Sequence, residues 1–301
     1  MPVNRVEIKD FLVFKGEFAM DFCPGINVLI GANGTGKTTL MRVIYEQKSD
    51  FPYPPNADFK GGEMWFPKGN GISGIKIRFD GTLNSFIYIP EKDILEHAKG
   101  LLTFINQKET GFGTVYRDVL VAAQDVPTKN QSAAQKNIGQ KISETIGGYV
   151  EWVPGESTFY MLRSNGNRIP FANEASGFKK LGFLGLLVAS GQLEPGSVLF
   201  WDEPENSINP ELIPVLVDIL LELSRNGVQI FIATHSEILA GYFAVNRQNE
   251  DEVMFVALYK DGEQIKAVAN NRFDLLEPNN LTAEPVKLYE KEIVKGLNAN
   301  G

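Results

Sequence analysis

Nine residues, Gly31-Ala32-Asn33-Gly34-Thr35-Gly36-Lys37-Thr38-Thr39, restrict the possible folds of this chain more than any other stretch. Their spacing fits G-x-x-x-x-G-K-[S/T], a loop that wraps phosphate with its backbone. The setting agrees with the spacing: Ile26 to Ile30 predicts a buried strand, and Thr38 to Tyr45 the first turns of a helix. Strand, loop and helix in that order separate the motif from a chance glycine-rich turn. The glycines let N–H groups turn inward, and the helix N-terminus adds partial positive charge. Asn33, Gly34, Thr35, Gly36, Lys37, Thr38 and Thr39 are therefore candidate nucleotide contacts. Lys37 would reach the β- and γ-phosphates, and Thr38 would offer an oxygen to Mg²⁺.

The rest of the chain supports an α/β fold with an interruption. Val3 to Ile8 and Phe11 to Phe22 read as β-segments. From 49 to 74, Pro52, Pro54, Pro55, Pro67 and five glycines predict an irregular excursion. Ile75–Phe79 and Ser85–Ile89 predict a hairpin across Asp80-Gly81, and 91–106 an amphipathic helix with His97 on its polar side. Helices are expected over 114–123 and 132–146, the second opened by a capping box of Ser132 and Gln135. A hairpin over 149–171 would turn at Asn165-Gly166. Beyond it, continuous apolar strands at 197–201 and 228–233 alternate with helices from Ser176, Asn209-Pro210 and Ser236. That alternation predicts a parallel sheet covered on both faces. A closing hairpin over 253–268 and a helix over 286–297 complete the chain. The nucleotide-binding domain is thus expected to be split between 1–48 and 172–301. The segment 49–171 would be an inserted arm or lid carrying α and β elements.

A phosphate loop alone marks a binder, but the second half adds chemistry. Val198-Leu199-Phe200-Trp201-Asp202-Glu203 is an apolar strand ending in two carboxylates, the Walker B pattern. Asp202 would hold Mg²⁺, and Glu203 would polarise an attacking water. An acidic turn after a strand is the plainer alternative, and Pro204 and Glu205 suit one. Thr234-His235-Ser236 follows the next strand, where His235 either senses the γ-phosphate or simply starts a helix.

Taken together, residues 31–39, Asp202-Glu203-Pro204-Glu205 and Thr234-His235-Ser236 resemble the ATP-binding-cassette superfamily, and within it the SMC/RecF-like branch of stand-alone ATPases. The opening, Arg5-Val6-Glu7-Ile8 and then Phe22 to Gly31, resembles that branch as well. The resemblance implies an ATPase that uses Mg²⁺, with Glu203 and His235 catalytic and Thr38 and Asp202 on the metal. It implies an ATP-dependent homodimer. Asn206-Ser207-Ile208-Asn209-Pro210 would be its D-loop, and Ser176 and Gly177 the signature residues that touch the partner's γ-phosphate. Two departures stand out. Phe178 replaces the second signature glycine, so Lys179 or Lys180 either adds a cation to that phosphate or faces solvent. The Q-loop glutamine is missing, and Tyr88-Ile89-Pro90-Glu91-Lys92 occupies roughly its place. Phe11 and Phe14 are candidates for adenine stacking, with core packing as the alternative.

Members resembling this branch often act beside a separate effector. This points to a dimeric ATP-driven switch, or to a slow ATP clamp in a toxin–antitoxin or phage-defence assembly. A transporter subunit would need the intact signature and Q-loop that are absent here. A DNA-repair role is disfavoured by the lack of sustained heptads and by a net charge of −8, although a locally basic groove stays open. The longest apolar run, 181–189, is too short and glycine-rich to span a bilayer. The N-terminus lacks the apolar core of a signal peptide. The single cysteine, Cys23, suits a reducing cytoplasm and is expected to be a small packed residue.

Overall fold

A computed structural model describes residues 3–47, 61–68, 73–80, 85–92, 95, 98 and 114–299. Strands β1 (Val3–Phe11) and β2 (Phe14–Asp21) form a hairpin, and β3 (Ile26–Ile30) leads through the glycine loop into α1 (Lys37–Glu46). Next come β4 (Gly61–Lys68), β5 (Ser73–Asp80) and β6 (Phe86–Ile89), then helices α2 (Thr114–Ala122) and α3 (Ala133–Ile146). A small sheet of β7 (Gly148–Val153), β8 (Thr158–Arg163) and β9 (Arg168–Pro170) precedes α4 (Ser176–Ala189). The last part runs β10 (Val198–Asp202), α5 (Ile213–Arg225), β11 (Gln229–Ala233), α6 (Glu237–Asn246), β12 (Val253–Asp261), β13 (Gln264–Asn270) and α7 (Asn280–Ala299).

The central sheet has the order β13-β12-β3-β11-β10-β6. All neighbours are parallel except the β12–β13 hairpin. Every residue of β3, β6, β10 and β11 is buried, because both faces are covered. Alternation along these strands sends successive side chains to two cores. Val28, Ile89, Leu199, Trp201, Ile230 and Ile232 pack beneath α3, α4, α5 and α6. Leu29, Tyr88, Phe200 and Phe231 pack against α1 and the four-stranded antiparallel sheet β2-β1-β5-β4. Full burial of one such side chain is worth about 1.5–3 kcal/mol.

Three local expectations are corrected. The excursion over 49–74 contains a full strand, since β4 pairs with β5 from Gly61↔Asp80 to Lys68↔Ser73. β4 lies at the sheet edge, where Pro67 is tolerated. The hairpin expected over 75–89 does not form. β5 pairs with β1 and β4, whereas β6 joins the central sheet beside β10. Both segments are apolar enough to be buried, and topology rather than proximity in sequence decided their partners. The hairpin over 149–171 is a three-stranded meander with a first turn at 154–157. The Asn165-Gly166 turn joins its second and third strands, with Gly166 at φ +84°. The Ser132–Gln135 capping box is present in both directions and starts α3. Most of the helix expected over 91–106, including His97, lies outside the described residues.

Candidate active site

In the central sheet β3, β11, β10 and β6 run parallel and adjacent, so their carboxyl ends meet at one edge. Open α/β sheets bind ligands at such edges. The glycine loop leaves β3, Asp202 and Glu203 leave β10, Thr234 and His235 leave β11, and Glu91 follows β6. Residues separated by up to 204 positions in sequence therefore share one site.

The loop is held by its glycines. Gly31 has φ +146°, and a Cβ there would stand 2.2 Å from the Leu258 carbonyl oxygen. Gly36 caps α1 in the left-handed region at φ +90°, with no side-chain cap, so the first-turn N–H groups point into the loop unclaimed by a cap. Lys37 is buried, and its ammonium donates to the carbonyls of Gly31 at 2.7 Å and Ala32 at 3.3 Å. Burial lowers its pKa, while the nearby charges of Glu203, Asp202 and Glu205 oppose that shift. An anion in the loop would supply the countercharge directly.

Asp202 accepts a 3.0 Å hydrogen bond from the Thr38 hydroxyl and a 3.2 Å bond from the Tyr88 hydroxyl. Burial raises its pKa even so. A buried carboxylate with only neutral donors is favourable ground for a cation. One hydroxyl and one carboxylate beside a phosphate loop fit a hard, oxygen-seeking ion such as Mg²⁺. Among the described residues no group of three or more His, Cys, Asp or Glu side chains forms a metal cage of its own. A metal held here would take its remaining ligands from phosphate and water.

Glu203 sits at φ +46°, an uncommon conformation for a residue with a side chain, and its N–H donates to Ala233 O at 2.8 Å. Such backbone strain concentrates at functional sites. Its pKa is raised by burial first and then by the charges of Glu91, Glu205 and Asp202. His235 Nε2 lies 3.5 Å from Glu203 Oε1. Burial, then Lys37, lower the imidazole pKa, which favours the neutral ring beside Glu203.

The segment expected to be the signature starts α4, whose next turn packs against the residues after β10. Ser176 begins α4 and Gly177 is buried beneath it, 2.9 Å from Leu212 Cδ1 at its would-be Cβ. Among the described residues no hydrogen bond joins either one to 31–39. The N-terminus of α4 is steadied by the preceding meander, because Arg163 pairs with Glu174 at 2.5 Å and stacks over Phe178.

The solvent-facing alternative for the two lysines does not hold. Both are buried, and Lys180 donates to the carbonyls of Glu203 (3.2 Å), Pro204 (3.2 Å) and Asn206 (2.6 Å). It fastens α4 to the turn after β10 instead of facing solvent. Phe14 is fully buried, packing with Phe18 and standing over Gly36, so it is core and offers adenine no face. Cys23 is packed: its thiol touches the Ile26 and Glu252 carbonyls, and burial raises its pKa to about 11.

Four participants take roles that the sequence did not assign to them. Tyr88 reaches Asp202, Glu91 accepts from Asn206 Nδ2 at 3.0 Å, Glu205 holds the turn of His235, and Lys180 ties down the turn after β10. Tyr88 and Glu91 lie in the slot where a Q-loop glutamine was expected, and Glu205 and Lys180 lie in or beside the motifs, but their partners are set by the fold.

The fold is that of a P-loop NTPase of the ATP-binding-cassette type. Residues 54–240 match the family described as "AAA domain, putative AbiEii toxin, Type IV TA system", and the chain belongs to it. The cell division ATP-binding protein FtsE of Mycobacterium tuberculosis is 23% identical over 223 residues, covering 73% of this chain and 74% of that protein. The structural maintenance of chromosomes protein 3 homolog of Plasmodium falciparum is 29% identical over 115 residues, which is 36% of this chain but 9% of that much longer relative. Among solved structures, an SMC head bound to the C-winged helix domain of ScpA superposes with a TM-score of 0.56 at 14% identity, covering 90% of this chain and 98% of that one. At that identity the likeness speaks for the fold alone. No helix among the described residues is long and apolar enough to cross a membrane.

Proposed function

We propose that the chain hydrolyses ATP and works as an ATP-dependent homodimeric switch. The observation that carries this reading is the convergence of Lys37, Thr38–Asp202 and Glu203–His235 at one sheet edge. Lys37 and residues 33–39 bind the phosphates, and Thr38 and Asp202 hold Mg²⁺. When bound, the ion neutralises charge on the phosphates and the leaving group. Glu203 takes a proton from the attacking water as its oxygen bonds the γ-phosphorus. The bond to the β,γ-bridging oxygen breaks, leaving ADP and phosphate. Neutral His235 donates to the γ-phosphate and keeps Glu203 oriented.

Ser176 and Gly177 make no hydrogen bond to residues 31–39 among the described residues, which is compatible with a shared site. Their helix N-terminus would serve the nucleotide of a second copy, across the exposed D-loop residues Asn206, Ser207 and Asn209. The meander β7–β9, which forms a sheet of its own, would then be the part through which closure is passed on, since Arg163 of its strand β8 grips Glu174 beside the signature.

The family description favours a second reading of the biological role, a regulatory ATP clamp working with a separate effector in a toxin–antitoxin or defence system, in the cytoplasm. Steady-state turnover tests the chemistry. Glu203→Gln should cut the rate by about 10²–10⁴-fold with little change in nucleotide affinity. Wild-type turnover in that variant would remove Glu203 from its role. Turnover measured with and without a co-purified effector separates switch from clamp.

A further inference from the structure

We propose that Glu205 is the positioning residue for His235, its carboxylate fixing the turn between β11 and α6 so that the imidazole meets Glu203. This rests on the catalytic reading of His235 above. The turn is three residues long, Thr234, His235 and Ser236, so the direction of the imidazole follows from the backbone on either side. One oxygen, Glu205 Oε1, accepts from Thr234 Oγ1 at 2.6 Å and from the His235 N–H at 3.0 Å. Thr234 is fully buried, and its Oγ1 accepts in turn from the Ser236 N–H at 2.9 Å. A single carboxylate oxygen therefore organises all three residues.

The arrangement closes a ring. Glu203 N–H donates to Ala233 O at 2.8 Å, Glu205 receives His235, and His235 Nε2 faces Glu203 Oε1 at 3.5 Å. The Glu203 end of the contact is thus anchored to Ala233 at the end of β11, and the His235 end to Glu205 after β10. Lys180 fixes that segment from below through the Glu203, Pro204 and Asn206 carbonyls. Charged acceptors make shorter and stiffer hydrogen bonds than neutral ones, which suits an orienting role.

The other oxygen argues against a purely structural carboxylate. Glu205 Oε2 is buried with no hydrogen-bond partner among the described residues. An orphaned buried acceptor is unfavourable, and a turn selected for stability alone would be better served by a smaller neutral cap.

The test uses the full chain. It contains two histidines, so ¹⁵N-histidine labelling gives two backbone amide signals, and His97→Gln assigns that of His235. The His235 amide proton should lie downfield and move upfield in Glu205→Ala, with Glu205→Gln, which keeps an acceptor oxygen, restoring most of the shift. ATP turnover should fall about tenfold or more in Glu205→Ala, with nucleotide Kd within about threefold of wild type. In a His235→Ala background the second substitution should cost nothing further. Thr234→Val, which removes one of the two donors, should reproduce part of the loss and covers the case in which Glu205→Ala folds poorly.

An unmoved His235 amide in Glu205→Ala, or losses that multiply in the double variant, would overturn the proposal. Wild-type turnover in His235→Ala alone would instead overturn the catalytic reading of His235. The amide shift then still decides whether Glu205 holds the turn.

Discussion

The glycine loop after β3 and the turn after β10 lie at the same sheet edge, one strand apart, and both have to hold charged groups still around a nucleotide. The loop does so with backbone. Its glycines adopt φ values of +146°, +75° and +90°, and its lysine bonds to carbonyls of the loop itself. The turn does so with side chains brought from elsewhere. Lys180 arrives from α4, Glu91 from the end of β6, and Glu205 reaches across to β11. A backbone device tolerates no added atom, whereas a side-chain device fails when a distant partner is cut.

The harshest way to break this contrast is Gly31→Ala. Its Cβ would stand 2.2 Å from Leu258 O, at a φ of +146°. We expect a loss of about 3 kcal/mol or more of stability and no measurable nucleotide binding, read by urea denaturation and calorimetry. Normal binding in that variant would mean the loop is not backbone-determined. Next comes Lys180→Met, which keeps the stem's apolar volume but takes the donor from three carbonyls. Stability should fall by about 2–3 kcal/mol, with nucleotide affinity in the loop nearly kept. If affinity collapsed in step with stability, the two regions would not be separately held.

The same contrast explains what could be read from the chain. Gly31, Gly36, Lys37 and Thr38 carry their geometry within one short stretch, because glycine spacing encodes backbone shape locally. Asp202-Glu203 was legible for the same reason, as an apolar strand ending in acid. The capping box of Ser132 and Gln135 is likewise local and formed as expected. Lys180 was not legible. Adjacent lysines early in a helix look solvated until the chain folds over them, and the bonds that bury this one span 23 to 26 residues. Tyr88 reaches Asp202 across 114 residues, a relation no spacing rule records. The pairing of β5 with β1 instead of β6 was hidden similarly, since an apolar strand does not announce which edge it completes.

The mildest probe concerns strain. Ser207 holds φ +60° in the exposed part of the turn. Ser207→Gly should relieve that strain against a gain in unfolded-chain entropy, for a net stabilisation of about 0.5 kcal/mol or less in thermal unfolding. A clear destabilisation would show that the Ser207 side chain, through its bond to Asn206, does more to hold the turn than its conformation costs.

The central claim is that half of each catalytic site comes from a second chain. It is tested most directly by the mass of Glu203→Gln in sedimentation with and without Mg·ATP. The account predicts a single chain without nucleotide and a stable pair with it, the pair being lost when Ser176→Arg is added. A single chain at saturating Mg·ATP would contradict it.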